Sequence, residues 1–159
     1  MRAVYWKCLA GVLAGLLSGG SAQAQVPALL PGRWEMRQVS FLAEQAVPDS
    51  ILHQMDNPQV ADLNTALKAG KAHAVVDFRP DGTYQFTLVR AGQTEHAETG
   101  SYSVKDQVLL AQSPATPGGS SFNDQVLTRL TRRVLVVTFV VGPELPGVLE
   151  EVEYRRVNP

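Results

Sequence analysis

Cysteine is nearly absent: Cys8 is the only one in 159 residues. Everything after it lacks a thiol, which excludes disulfides, cysteine metal sites and cysteine nucleophiles from the body of the chain. Long apolar runs are missing too. The run from Cys8 to Leu17 is shorter than the roughly 20 residues a membrane-spanning helix needs, and no later stretch is long and apolar enough. No transmembrane segment is expected. Nor is there an excess of positive charge: setting aside Arg2 and Lys7 leaves 12 of the 14 basic residues against 15 acidic ones, scattered and alternating in sign. That is a solvated surface rather than a nucleic-acid footprint. Catalytic and metal motifs are lacking as well. His53, His73 and His96 fall in unrelated segments with no H-E-x-x-H spacing, and no serine sits in a G-x-S-x-G elbow or an S-x-x-K arrangement. The expectation is therefore a non-enzymatic protein with no metal and no cofactor.

The first segment reads as an address. Met1, Arg2 and Lys7 make a basic start, Cys8 to Leu17 an apolar run, and Ala22-Gln23-Ala24 an A-x-A cleavage pattern, the layout of a secretory signal peptide over residues 1–24. Tyr5-Trp6-Lys7 ahead of Cys8 lacks the small apolar residues that precede a lipid-modified cysteine, which argues against a lipid anchor. Export to the periplasm or the exterior follows, with residues 25–159 as one soluble domain large enough for a real core.

Periodicity then indicates class. Arg33 to Phe41 alternates as a strand with Trp34 and Met36 on one face. A helical insertion of about 49–69 follows, in two parts. Asp49 or Ser50 is placed to cap the first, with Ile51, Leu52 and Met55 on one side; Asn57 caps the second, Pro58 takes its first position, Val60, Leu63 and Leu67 form its apolar stripe, and Gly70 ends it. From Ala72 onward every segment reads as a strand. Ala74, Val76 and Phe78 share a face, Pro80-Asp81-Gly82 turns the chain, and Tyr84, Phe86 and Leu88 share the returning face. Further strands are expected around Gly100 to Val104, at Val108 to Gln112, at Phe122 to Leu130, at Arg133 to Val141 and at Leu149 to Arg156, with Pro114 to Ser121 as a loop. Eight strands with short links predict an all-β, antiparallel, up-and-down barrel with a helical pair between its first two strands.

Leu30-Pro31-Gly32-Arg33-Trp34, Phe78-Arg79-Pro80-Asp81-Gly82-Thr83-Tyr84, Gly100-Ser101-Tyr102-Ser103-Val104 and Tyr154-Arg155-Arg156 resemble, in order and spacing, the bacterial exported lipocalin-like domains, of the calycin barrel type. The resemblance spans nearly all of residues 25–159. It implies that Gly32 and Trp34 form the family's G-x-W element, that Trp34 plugs the closed end, and that Arg156 from the last strand stacks on the indole. Two departures stand out: the helical pair after the first strand is unusual, and the cysteine bridges of animal members are absent. The connection is similar to the helical pair that gates entry in intracellular fatty-acid-binding proteins, which implies a lid; an amphipathic pair packed as a cap, over one mouth or against the barrel wall, is the plainer alternative.

An eight-stranded barrel is wide enough either to be filled by its own side chains or to hold one small ligand. If Val76, Phe78, Tyr84, Phe86, Leu88, Tyr102, Val137 and Phe139 point inward, they line an apolar, ringed site for a small hydrophobic ligand, or they fill a core. His96 and Glu98 share the strand parity of Tyr102 and are the candidate polar anchors, with two solvated rim residues as the alternative. The rival to ligand binding is a solid barrel serving as a structural or protein-interaction module of the envelope, with an exposed apolar patch around Val140 to Leu149. Thr131-Arg132-Arg133 is basic, but three residues in a hairpin turn serve solubility rather than docking.

Overall fold

From Ala72 to Phe78 every second residue is buried, the period of a strand with one covered face. The same alternation recurs around the molecule and closes it. A computed structural model describes residues 26–43 and 45–157, so the signal-peptide reading of residues 1–24 lies outside the described residues. In chain order the elements are β1 (Gly32–Ala43), α1 (Asp49–Met55), α2 (Pro58–Lys68), β2 (Ala72–Phe78), β3 (Thr83–Arg90), β4 (Gln93–Lys105), β5 (Val108–Gln112), β6 (Gln125–Leu130), β7 (Val134–Val140) and β8 (Val148–Arg156). Each strand pairs antiparallel with its neighbours in sequence, and β8 pairs with β1, giving a closed eight-stranded barrel. The expected fold class is the observed one. Register shifts at Met36/Gln38, Leu88/Val89 and Leu127/Arg129 add the local bends that closure needs. No described helix is long and apolar enough to cross a membrane.

Up-and-down connectivity sorts the links between two ends. The first end carries the 79–82, 106–107 and 131–133 turns and the start of β1. The second carries the helical segment, the Ala91-Gly92 turn, the Ser113–Asp124 loop and the 141–147 loop. Trp34 closes the first end. It is fully buried, its Nε1 donates to the Leu30 carbonyl at 2.8 Å, and the Arg156 guanidinium carbon lies 4.1 Å above the ring centroid. Arg156 also donates from Nη1 to the Pro31 carbonyl and from Nε to the Arg132 carbonyl, each at 2.9 Å, and from Nη2 to the Leu29 carbonyl. Gly32 makes room for this: its φ is +136°, and a Cβ there would sit 2.1 Å from Arg156 Nη1.

Beyond Glu35, β1 parts from β2, because their pairing runs only from Gly32↔Phe78 to Glu35↔Val75. The backbone edge this exposes at Val39 is taken up by a helix side chain. Asn64 of α2 accepts from the Val39 N–H through Oδ1 at 2.8 Å and donates from Nδ2 to the Val39 carbonyl at 2.7 Å, as a neighbouring strand would. Alongside it, Leu67 is buried and Val60 and Leu63 pack partly against the core. The helical pair therefore splits its tasks: α2 completes the wall, and α1 buries no residue. Asn57 caps α2 through its side chain, accepting from Gln59 and Val60 N–H. Gly70, at φ +68°, ends it with paired bonds from Gly70 N to Leu67 O and from Lys71 N to Ala66 O.

Two expectations need correcting. The cap of α1 is neither Asp49 nor Ser50: Pro48 holds that position and supplies no side-chain bond. Phe122 does not begin a strand. β6 starts at Gln125, and Phe122 leaves the Ser113–Asp124 loop to enter the core.

Candidate functional site

Four strands place the expected rings on one inner surface. Phe78 is opposite Tyr84, and Val76 is opposite Phe86, which is in turn opposite Glu98. Val76, Phe78, Tyr84, Phe86, Tyr102 and Val137 are buried, and Leu88 and Phe139 pack partly against the same cluster. The space between the rings is taken by Phe122. Its ring meets Phe86 at 5.2 Å, Tyr84 at 5.5 Å and Phe78 at 5.6 Å between centroids, each edge to face, and Phe78 meets Tyr102 at 4.9 Å.

Beside this cluster lies a buried carboxylate. Glu98 is 3% exposed. Its Oε1 accepts from Tyr84 Oη at 2.6 Å and Ser120 Oγ at 3.1 Å; its Oε2 meets Ser121 Oγ at 2.7 Å and His96 Nε2 at 3.0 Å. The Ser121 N–H is shared between both oxygens at 3.2 Å. Burial pushes the Glu98 carboxyl up, but the hydrogen bonds from Tyr84, His96 and Ser121 outweigh it, so its pKa ends below the usual carboxylate value. Burial together with the bond to Glu98 pushes the Tyr84 hydroxyl up to about 12. Glu98 is thus an anion surrounded by donors. His96 lies tilted beside Phe86, at 5.8 Å between centroids, and its side chain is 37% exposed, so it links the anion to the solvent side.

The bulge in β4 explains why parity serves here. It falls between the pairs Leu88↔His96 and Val89↔Thr94, ahead of His96, so His96, Glu98 and Tyr102 stay on one face. Gly100 does not interrupt the pattern, since the register runs unbroken from Leu88↔His96 to Thr83↔Ser101; a Cβ there would meet the Gln112 carbonyl oxygen at 1.9 Å and Tyr84 Cε1 at 2.9 Å. Ser120, Ser121 and Phe122 are site residues that sequence reasoning missed. They belong to a loop without periodicity; the Gly118-Gly119 pair before them was the one local signal of a sharp reversal.

A second interior carboxylate stands nearer the open end. Glu150 pairs with Phe41 on β1 and Phe139 on β7, and burial alone pushes its pKa up. Tyr154, two residues further on the same face, has its hydroxyl pushed up by burial, with Glu150 and Glu98 adding to the effect. Gln125 is 5% exposed and donates from Nε2 to the Ser121 carbonyl at 2.7 Å, while its Oε1 has no protein partner. Among the described residues no group of three or more His, Cys, Asp or Glu is arranged to hold a metal ion.

No family model matches the sequence, and no curated protein does. Among solved structures the chain is similar to a crystal structure of a DUF4847 family protein from Bacteroides vulgatus, at 15% identity, covering 83% of this chain and 96% of that one, with a TM-score of 0.46.

The arrangement sets a carboxylate, both of whose oxygens accept from the protein's own donors, beside a surface of aromatic rings covered by Phe122. Ser121 and His96 both bond to the carboxylate and not to each other, so the histidine has no serine proton to take.

Proposed function

We propose that this chain is an exported lipocalin-like protein that binds a small hydrophobic ligand inside its barrel without transforming it. The observation that carries this reading is the Glu98 carboxylate, buried with Tyr84 bonded to it and Phe86 opposite it on β3. Desolvating a carboxylate costs several kcal/mol of order, and a solid core gains more from an apolar residue of similar volume. Retaining the anion in a ringed interior suits recognition, since ligand sites join apolar walls to a few placed polar groups. The Trp34–Arg156 stack across the closed end supports the lipocalin-like assignment.

The test is native mass spectrometry of the protein purified from its own exported fraction, followed by denaturing extraction. A discrete apolar adduct, absent in a folded Phe86→Arg variant, is expected. A bare mass that stays bare after incubation with a lipid extract would sink the reading.

One outer feature favours the rival, a protein-interaction module. Val140 is 68% exposed, and with Leu42, Val126 and Leu149 it lines a groove of about 670 Å³ on the outer wall. On that reading, an envelope partner retained by the wild type is released by Val140→Asp, and no small-molecule adduct is found.

A further inference from the structure

We propose that the interior beneath the Ser113–Asp124 loop is a binding site for a small molecule carrying an aromatic ring and a protonated amine, and that Phe122 occupies it in the free protein. This rests on the ligand-binding reading and names the ligand class.

Phe122 is 2% exposed, yet it comes from a loop and fills a slot built by three strand-borne rings. No ladder holds it there. β5 and β6 pair only at Val108↔Val126 and Leu109↔Gln125, so the segment ahead of Gln125 has no strand partner. It is fastened by side chains instead: Ser120 and Ser121 onto Glu98, and Asn123 Oδ1 onto the Ala111 N–H at 3.1 Å. Left-handed backbone flanks the fastened part, with Gly118 at φ +83° and Gly119 at +89° before it and Asp124 at +61° after it. A Cβ added at either glycine would touch nothing within 4 Å, so these are free pivots rather than packed turns.

When Ser120–Asn123 swings out, the space of the Phe122 ring and of the Ser120 and Ser121 side chains opens between Phe78, Tyr84, Phe86 and Glu98, room for a ring larger than phenyl. The same movement strips three donors from Glu98: the Ser120 hydroxyl, and the Ser121 hydroxyl and N–H. A buried anion left short of donors is costly, so the incoming molecule must bring donors of its own. An ammonium brings three and cancels the charge. Gln125, whose Nε2 holds the Ser121 carbonyl and whose Oε1 has no protein partner, is released by the same movement. A ligand with a carboxylate head would instead set two anions together.

Tryptamine, indole and indole-3-acetate test this, because they share one ring and differ in the head. Isothermal titration of the full-length mature protein is expected to show tryptamine binding at least ten-fold tighter than indole-3-acetate. Glu98→Gln removes the preference of tryptamine over indole, and Phe122→Ala tightens tryptamine at least ten-fold because no plug has to leave. Nuclear Overhauser contacts on the wild type decide the matter without relying on a variant's folding. The probe ring gains contacts to Phe78 and Phe86 while Phe122 loses those to Tyr84. Saturable tryptamine binding with the Phe122–Tyr84 contacts intact overturns this site but leaves ligand binding standing. Equal affinity for tryptamine and indole-3-acetate overturns the ligand class. Failure of wild type to take up any of the three probes overturns the site, and a native apolar adduct would then show ligand binding to lie elsewhere in the barrel.

Discussion

Glu98 and Glu150 are both interior carboxylates, and their surroundings move them in opposite directions. Glu98 has donors at every side and a pKa below its ordinary 4.5. Its stabilisation is present above that value and is lost only as pH falls through the lower, folded-state one. Glu98→Ala is expected to cost about 3 kcal/mol at pH 7, because the Ser121 hydroxyl and N–H keep donors with nothing to accept them and a buried side chain is lost. The deficit, read from urea midpoints, should shrink only below about pH 4.5, where the unfolded carboxyl takes up its proton. Glu150 behaves in reverse. With its folded pKa raised, the ionised form opposes folding at neutral pH, so Glu150→Gln should raise Tm at pH 7 and lose that advantage as pH approaches 4.5. A variant no more stable than wild type at pH 7 would show the carboxylate to be solvated.

How far such residues could be read in the sequence depends on what fixes them. His96 and Glu98 were legible because strand parity sets the side a residue faces, and the β4 bulge falls outside the stretch that matters. The rings at 78, 84, 86 and 102 were legible for the same reason. Ser120, Ser121 and Phe122 were not, since a loop has no period and its side chains are aimed by contacts distant in sequence.

At the scale of elements, α2 was legible as a helix through Asn57, Pro58, its apolar stripe and Gly70, but its task was not. Asn64 looks like any polar residue on a helix surface. What gives it a role is the parting of β1 from β2 past Glu35, which depends on barrel geometry. Asn64→Ala is expected to lower stability by about 1–2 kcal/mol through the unmet Val39 backbone groups. Asn64→Asp should cost at least as much, because it sets a carboxylate oxygen against the Val39 carbonyl. Amide exchange at Val39 gives the local reading: it should quicken in both variants, and unchanged protection would show that the edge is held by something other than Asn64.

For the whole molecule, the closed end ties the last strand to the chain ahead of β1, since Arg156 bonds the Leu29, Pro31 and Arg132 carbonyls while lying over Trp34. A lysine cannot reach all three and has no planar face to stack. Arg156→Lys should therefore lower the unfolding free energy by about 2 kcal/mol, whereas Arg155→Lys on the outer surface should change it by less than about 0.5 kcal/mol. Equal effects in urea titration would show the stack to be incidental.

The position of Trp34 also equips the protein with its own optical probe. It is the single tryptophan among the described residues, shielded from water and capped by a cation, and Val76, opposite it on β2, is in turn opposite Phe86 of the Phe122 slot. Its emission should be short in wavelength and responsive when the first and last strands separate. Superimposing that signal on far-ultraviolet circular dichroism during denaturation would tell whether strands and plug melt as one cooperative unit.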